Sequence, residues 1–350
     1  MTIKIDYFSD TNIKPSKAIL EYMMRAEVGN EAAGENPTVN QLIDKVCKLL
    51  GKEAALFLPT GTMANTIAFR VHCNLPGDII ILDKTSHPLR VQSGSIGGLV
   101  NANAYPINGI RGIFNKEQIV PIVNRGQGRN LPRIRLLSIE QTTNFGGGAI
   151  WSLEQLKDIC DYAHANSIAT HLDGARLFNA HVAMGISVKE YARYFDSVYL
   201  DFTKGLGAPI GAILAGSKEF IEEAWYYKFQ QGGSMHQSGI LAASCIYALD
   251  HNVTRLADDH KMTTMLAEGL SQIPQIEINP KEYATNIIFF SLQNTSHTAN
   301  NFVDILRQQS KIRMLAIDNK IRAILHMDIS FDDVQKTLEE ISKVLGSVGI

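Results

Sequence analysis

A chain of 350 residues is long enough for one large domain and a smaller one. Its 45% hydrophobic and 19% charged residues exclude a disordered chain, and a net charge of −2 offers no basic surface to nucleic acid or to an anionic membrane. Residues 1–10 lack the charged start and apolar core of a secretory signal, and apolar segments are interrupted before they reach membrane-spanning length. Cys47, Cys73, Cys160 and Cys245 form no CxxC pair, which argues for a reducing cytoplasm and against a structural zinc or other metal site.

In chain order, a short segment containing Ser9, Asp10 and Thr11 precedes an amphipathic helix that follows Pro15 and runs to about Ala26. A loop over 29–37 leads to a second helix from Thr38, with Val39, Leu42, Val46 and Leu50 on one face, stopping at Gly51. From there short apolar runs alternate with helical patterns. Strands are expected at 54–58, 78–82, 100–106, 134–140, 168–173, 196–202 and 211–215. Helices are expected at 62–73, 116–124 and 152–166. This alternation predicts an α/β fold: a mostly parallel sheet with helices on both faces and ligands beyond the strands' carboxyl ends. A long helix over 239–270, broken near Asn252, then leads to a different pattern. Strands at 286–292, 312–317 and 321–327, with helices at 299–309 and 332–345, read as a small C-terminal α/β domain. The expected division is an N-terminal segment 1–50, a large domain 51–250 and a small domain 251–350.

Four strand ends carry candidate chemistry. Lys204 follows an apolar strand and precedes Gly205, Gly207 and Pro209. Burial lowers a lysine's pKa and leaves an amine able to attack an aldehyde, whereas a surface lysine in a Gly-Pro turn is the plainer reading. Thr60-Gly61-Thr62 sits between a strand and a helix, where free amides and a hydroxyl either cradle phosphate or only cap the helix. Asp173 ends another strand. A buried carboxylate there needs a cation, which a protonated pyridine nitrogen or Arg176 could supply. Arg176 could alternatively grip a substrate carboxylate with its planar fork. His87 follows a further strand end and could stack on an aromatic ring or act as a base. Each signal is weak alone; together they fit pyridoxal 5'-phosphate.

The motifs also carry a resemblance. Ser9-Asp10-Thr11, Gly34-Glu35-Asn36-Pro37-Thr38, Gly61-Thr62-Met63-Ala64-Asn65, Ser86-His87, Asp173-Gly174-Ala175-Arg176 and Thr203-Lys204-Gly205-Leu206-Gly207 resemble the threonine aldolase branch of the β-eliminating lyase family. Arg322, His326 and Asp328 match as well, so the resemblance runs almost end to end. It implies an aspartate-aminotransferase-like fold type I and a pyridoxal-phosphate carbon–carbon lyase. Such an enzyme cleaves L-threonine, allo-threonine or a related β-hydroxy-α-amino acid to glycine and an aldehyde; another β-eliminating or amino-acid enzyme on the same scaffold is the alternative. It further implies that Lys204 bonds the cofactor, Asp173 pairs with its ring nitrogen, Gly61 and Thr62 hold its phosphate and His87 stacks on its ring. His87, or a water it holds, would take the β-hydroxyl proton. Ser9, Arg176 and Arg322 would bind the substrate carboxylate. A homodimer or a tetramer of dimers is expected, with sites at the dimer interface and segment 1–50 packed on the partner and the small domain. Ala33, Asn130, Thr143 and His236 depart from the family pattern, at positions the family occupies with Tyr, His, His and Arg.

Overall fold

The computed structural model describes residues 2–125 and 128–346. The outermost parts of the first and last expected segments, residue 1 and residues 347–350, lie outside the described residues. Strand β1 (Ile5–Asp6) and helix α1 (Lys17–Met23) open the chain, followed by α2 (Pro37–Leu50). Asn36 caps α2 through its side chain, Pro37 fills a first-turn position whose missing N–H costs nothing, and Gly51 ends the helix at φ +68°. The buried side is Val39, Leu42, Val46 and Leu50, the face read from the spacing.

The alternating part follows as β2 (Ala54–Leu58), α3 (Gly61–His72), β3 (Ile79–Asp83), α4 (His87–Arg90), β4 (Asn103–Ile107) and α5 (Lys116–Val123). It continues with β5 (Ile134–Glu140), α6 (Leu153–Ala165), β6 (Ala169–Gly174), α7 (Leu177–Met184), α8 (Val188–Ala192), β7 (Ser197–Asp201), β8 (Ala212–Gly216) and α9 (Lys218–Gln230). The seven strands order as β2-β8-β7-β6-β5-β3-β4. All neighbours pair parallel except those of β8, which runs antiparallel to both β2 and β7. The β7–β8 connection holds no helix, and a parallel pairing would need a crossover of about a dozen residues or more. The mostly parallel sheet is therefore observed, with this one reversal. Every residue of β3, β7 and β8 is buried, as expected for strands covered on both faces. One apolar cluster, with α2 and α6, covers one face; another, with α3 and α9, covers the other.

The expected long helix is two helices, α10 (Gly239–His251) and α11 (Leu256–Ser271), interrupted at Asn252 as the sequence suggested. Helices α7, α8 and α9 were not read from the sequence. In α7 the residues are apolar nearly all round, so no amphipathic stripe marks it. The C-terminal layer comprises β9 (Ile276–Glu277), β10 (Ile287–Leu292), α12 (Ala299–Ile305), β11 (Ile312–Arg313), β12 (Leu315–Ile317), β13 (Lys320–Ile324) and α13 (Phe331–Val344). Four strands form an antiparallel sheet, β12-β13-β10-β9, over α11 and α13. The expected strand over 312–317 is split: its first half pairs with β1 and its second with β13. The first residues of the chain are thereby fastened to the C-terminal layer.

Candidate active site

The carboxyl ends of β3, β5, β6 and β7 surround one cavity of about 450 Å³. Gly61, Thr62, His87, Asp173, Arg176 and Lys204 all line it. Ser9 and Arg322 do not, although Thr11 does. None of the family departures Ala33, Asn130, Thr143 and His236 lines it either.

Lys204 lies in the turn after β7, its side chain 12% exposed. Its Nζ is 3.0 Å from Asp201 Oδ2 and 3.4 Å from the Tyr199 hydroxyl. The carboxylate partner comes from three residues earlier in the same strand end, a neighbour the sequence reading passed over. Against the upward push of burial, the Lys204 charge and hydrogen bonds from Thr203, Tyr199 and Lys204 hold the Asp201 carboxyl below its usual range. The amine is therefore largely buried and faces an acid-lined cavity.

Asp173 is 2% exposed. Its Oδ2 accepts from Asn65 Nδ2 at 2.8 Å and its Oδ1 from the Ala175 amide at 3.1 Å. Among the described residues no cation forms an ion pair with it. Burial raises its pKa, and Lys204 opposes that rise. Arg176, three residues on, is not its partner: Nε and Nη2 of Arg176 bind the two oxygens of Asp10 at 2.8 and 2.7 Å. Against burial, the Arg176 charge and these bonds hold the Asp10 carboxyl down at about 2. The alternative of an Asp173–Arg176 bridge is thus replaced by a bridge to the N-terminal segment.

Glu140 ends β5 directly beside Asp173 in register. Burial, then the Asp173 charge, pushes its pKa up to about 8, so a protonated carboxyl stands next to an ionisable one. Its place at a strand end was the available signal in the sequence. His87 begins α4, and burial, then the charges of Lys204 and Arg176, lower its pKa to about 3. Its ring is neutral. Gln92 Nε2 lies 3.1 Å from His87 Nδ1, and an amide nitrogen only donates, so Nδ1 accepts and Nε2 carries the proton.

At the start of α3, Thr60 accepts from the Met63 amide through its hydroxyl, which leaves the Gly61 and Thr62 amides without helical partners. Gly61 has to be glycine: an added Cβ would fall 1.8 Å from the Tyr199 hydroxyl and 2.9 Å from Asp201 Oδ2. Arg322, on β13, donates from Nη1 to Asn144 Oδ1 at 2.9 Å and from Nη2 to the Phe8 carbonyl at 3.0 Å. Its Nε is buried without a partner, and among the described residues no carboxylate forms an ion pair with it. Burial, then repulsion from Arg176, lowers its pKa to about 10. Ser9 Oγ caps the turn over 10–12 by accepting from the Thr11 amide at 3.2 Å.

Known proteins resemble the chain over most of its length. A family model described as beta-eliminating lyase matches residues 6–293. The chain is 35% identical over 337 residues to low-specificity L-threonine aldolase 1 of Arabidopsis thaliana, covering 95% of this chain and 94% of that one. It is 37% identical over 328 residues to the low specificity L-threonine aldolase of Escherichia coli (strain K12), covering 93% and 95%. Among solved structures, a threonine aldolase from Leishmania major superposes with a TM-score of 0.83 at 19% identity, covering 98% of this chain and 100% of that one.

Proposed function

The chain belongs to the beta-eliminating lyase family and is a pyridoxal-phosphate-dependent lyase, and from that premise we propose that it cleaves the Cα–Cβ bond of L-threonine, L-allo-threonine or a related β-hydroxy-α-amino acid, giving glycine and an aldehyde. The observation that carries the reading is Asp173, a buried carboxylate with no cation paired to it among the described residues, in one cavity with Lys204 and the open amides of α3.

These residues fit the cofactor. The α3 N-terminus offers two unengaged amides and the positive end of the helix to a phosphate. Asp173 would hold a proton on the ring nitrogen, since a buried carboxylate is stable only beside a cation or a proton. Lys204 would bind the aldehyde carbon through Nζ, and His87 would cover the ring. Bound there, pyridoxal phosphate supplies an electron-accepting ring conjugated to the substrate's α-carbon.

The protein's own groups do the rest. Arg322 has a buried Nε without a partner and, among the described residues, no carboxylate in an ion pair with it, so we assign the substrate carboxylate to it, with Ser9 and Arg176 beside it. Arg176 contributes charge while Asp10 fixes its orientation. His87 Nε2–H faces no protein acceptor among the described hydrogen bonds and would hold a water through which the β-hydroxyl proton passes out to solvent. Asp173 matters most where the ring accepts electrons, because its attraction for the ring proton grows there.

We further propose a homodimer or a tetramer of dimers with sites at the dimer interface. Met24 after α1 and Tyr226 and Phe229 on α9 are 86%, 64% and 56% exposed, an expensive display for a lone protomer. Four unpaired cysteines support a reducing, cytoplasmic setting, and no helix among the described residues is long and apolar enough to cross a membrane.

The deciding experiment incubates the cofactor-loaded protein with a panel of β-hydroxy-α-amino acids. Glycine plus aldehyde is the expected product pair. Pyruvate or another keto acid plus ammonia would replace the aldolase reading with β-elimination.

A further inference from the structure

Behind Asp173 runs a line of side chains that the reaction does not touch. Asn65 Nδ2 is 2.8 Å from Asp173 Oδ2. Asn65 Oδ1 is 3.0 Å from His171 Nε2. His171 Nδ1 is 2.8 Å from Ser197 Oγ, and Ser197 Oγ is 2.8 Å from His72 Nε2. Asn65, His171 and Ser197 are at most 1% exposed. The placement follows from the fold: His171 on β6 and Ser197 on β7 are register partners, and Asn65 and His72 are two turns apart on one side of α3. Phe69 meets the His171 ring edge-on, and Phe220 stacks on His72 at 4.8 Å, so both rings are fixed.

The chemistry of each atom sets one direction. A carboxylate oxygen only accepts, so the Asn65 amide nitrogen donates to Asp173. The Asn65 oxygen then faces His171 and requires a proton on Nε2. Burial keeps His171 neutral, so its Nδ1 is bare and accepts from the Ser197 hydroxyl. The Ser197 oxygen is left to accept from His72 Nε2–H. Every donor in the line points toward Asp173, and hydrogen-bond dipoles aligned head to tail strengthen one another.

We propose that His72, Ser197, His171 and Asn65 form a one-way hydrogen-bond chain of positioning residues that keeps Asp173 ionised until a ring cation pairs with it. The charged groups around its two ends are Lys204, Asp201 and Glu140 at Asp173, and Asp196 and Arg135 at His72. Lys204 favours the Asp173 charge and Asp201 opposes it, whereas Glu140 opposes it only where it ionises, above about pH 8. The chain adds stabilisation at Asp173 through neutral side chains. A set of groups that merely satisfied one another would need no common direction. The effect on turnover rests on the function proposed above; the direction of the chain does not.

Ser197→Ala removes the third link without touching the cavity, and His72→Phe removes the last donor while keeping the stack on Phe220. In ¹⁵N-histidine spectra of the cofactor-free protein, His171 should be the neutral Nε2–H tautomer from about pH 5 to 8. In Ser197→Ala that signal should move toward a tautomer mixture. In the loaded enzyme each variant should lower kcat by roughly threefold to tenfold, with KM for the amino acid unchanged. A His171 carrying its proton on Nδ1 in the parent protein overturns the proposal whether or not any amino acid is cleaved. Unchanged kcat in both folded variants, or KM rising in step with a falling kcat, overturns it as well.

Discussion

Arg176 and Asp10 meet at two points, Nε to Oδ2 at 2.8 Å and Nη2 to Oδ1 at 2.7 Å, with both side chains almost wholly buried. The pair ties the end of β6 to the N-terminal segment. It also neutralises the Arg176 charge at the cavity, whereas Arg322 has no carboxylate in an ion pair with it among the described residues. Removing one partner leaves the other charge buried, a cost of about 3–5 kcal/mol. Arg176→Ala should therefore lower both stability and amino-acid binding. The double variant Asp10→Asn/Arg176→Met should recover much of the stability and little of the binding. Urea denaturation and substrate titration on the same preparations check this, and full recovery of binding would assign Arg176 a purely structural part.

Arg322 should behave differently. Its charge is buried without a carboxylate, so Arg322→Met should leave the cofactor-free fold as stable as the parent or more so. Losing a charge-assisted carboxylate contact of about 1.5–3 kcal/mol should raise KM for the amino acid roughly tenfold to 150-fold. Steady-state kinetics beside thermal melts test the pair of outcomes. A large fall in Tm with KM unmoved would contradict the assignment.

Lys204→Ala should abolish borohydride-fixable attachment of the cofactor, read as the absence of its added mass on any peptide. Non-covalent binding should persist through the α3 amides and Asp173. A modified peptide containing another lysine would remove Lys204 from the mechanism.

Gln92 fixes the tautomer of His87 by donating to Nδ1. A carboxylate there would instead accept from Nδ1–H and attract positive charge onto the ring. In the parent, burial lowers the His87 pKa from its ordinary 6.5 to about 3, so the ring stays neutral at neutral pH. Gln92→Glu should bring a new acid limb into the pH–rate profile below neutrality, as His87 begins to protonate. Profiles that superpose over pH 5–9 (roughly the span in which a histidine titrates) would show that Gln92 does not govern this ring.

Stability of the cofactor-free protein should also depend on pH, with opposite signs on the two sides. His72, His87 and His260 have folded pKa values of about 4, 3 and 4, depressed by burial below 6.5. The unfolded chain binds more protons in that window, so stability falls as pH drops below about 6.5, at up to ~1.4 kcal/mol per unit for each histidine. Glu140 is the reverse: its folded pKa of about 8 exceeds 4.5, so stability declines as pH rises between those values. With His171, whose pKa burial also lowers well below 6.5, four histidines outweigh one glutamate below pH 6.5, and above it the pull of Glu140 continues up to about 8. Denaturation midpoints should peak near about pH 6.5, and Glu140→Gln should flatten the alkaline side.

How much of this was legible in sequence varies by element. Helix α2 announced itself through a one-sided apolar spacing and Gly51, because periodicity and helix ends are local physics, although its Asn36 cap and Pro37 start fell in the expected loop. The alternation of strand and helix likewise gave a mostly parallel sheet. The reversal of β8 was invisible, since an apolar five-residue strand reads the same in either direction. Among site residues, Gly61, Thr62, His87, Asp173 and Lys204 could be picked out by their places at strand and helix ends. Asp201 and Glu140 had the same kind of placement and went unread. Asp10 and Asn65 were quoted within motifs, but their partners lie 166 and 108 residues away.

By itself, then, the sequence determined the order of elements, the residue types at the strand ends and the kinship those motifs declare. These depend on short-range preference and on residue chemistry, which travel with the chain. Only the tertiary structure decided which charges pair: Arg176 with Asp10 and not Asp173, Lys204 with Asp201, and Arg322 and Asp173 with no ion-pair partner among the described residues. Ion pairing falls steeply with distance and with access to water, and neither exists until distant segments have packed together.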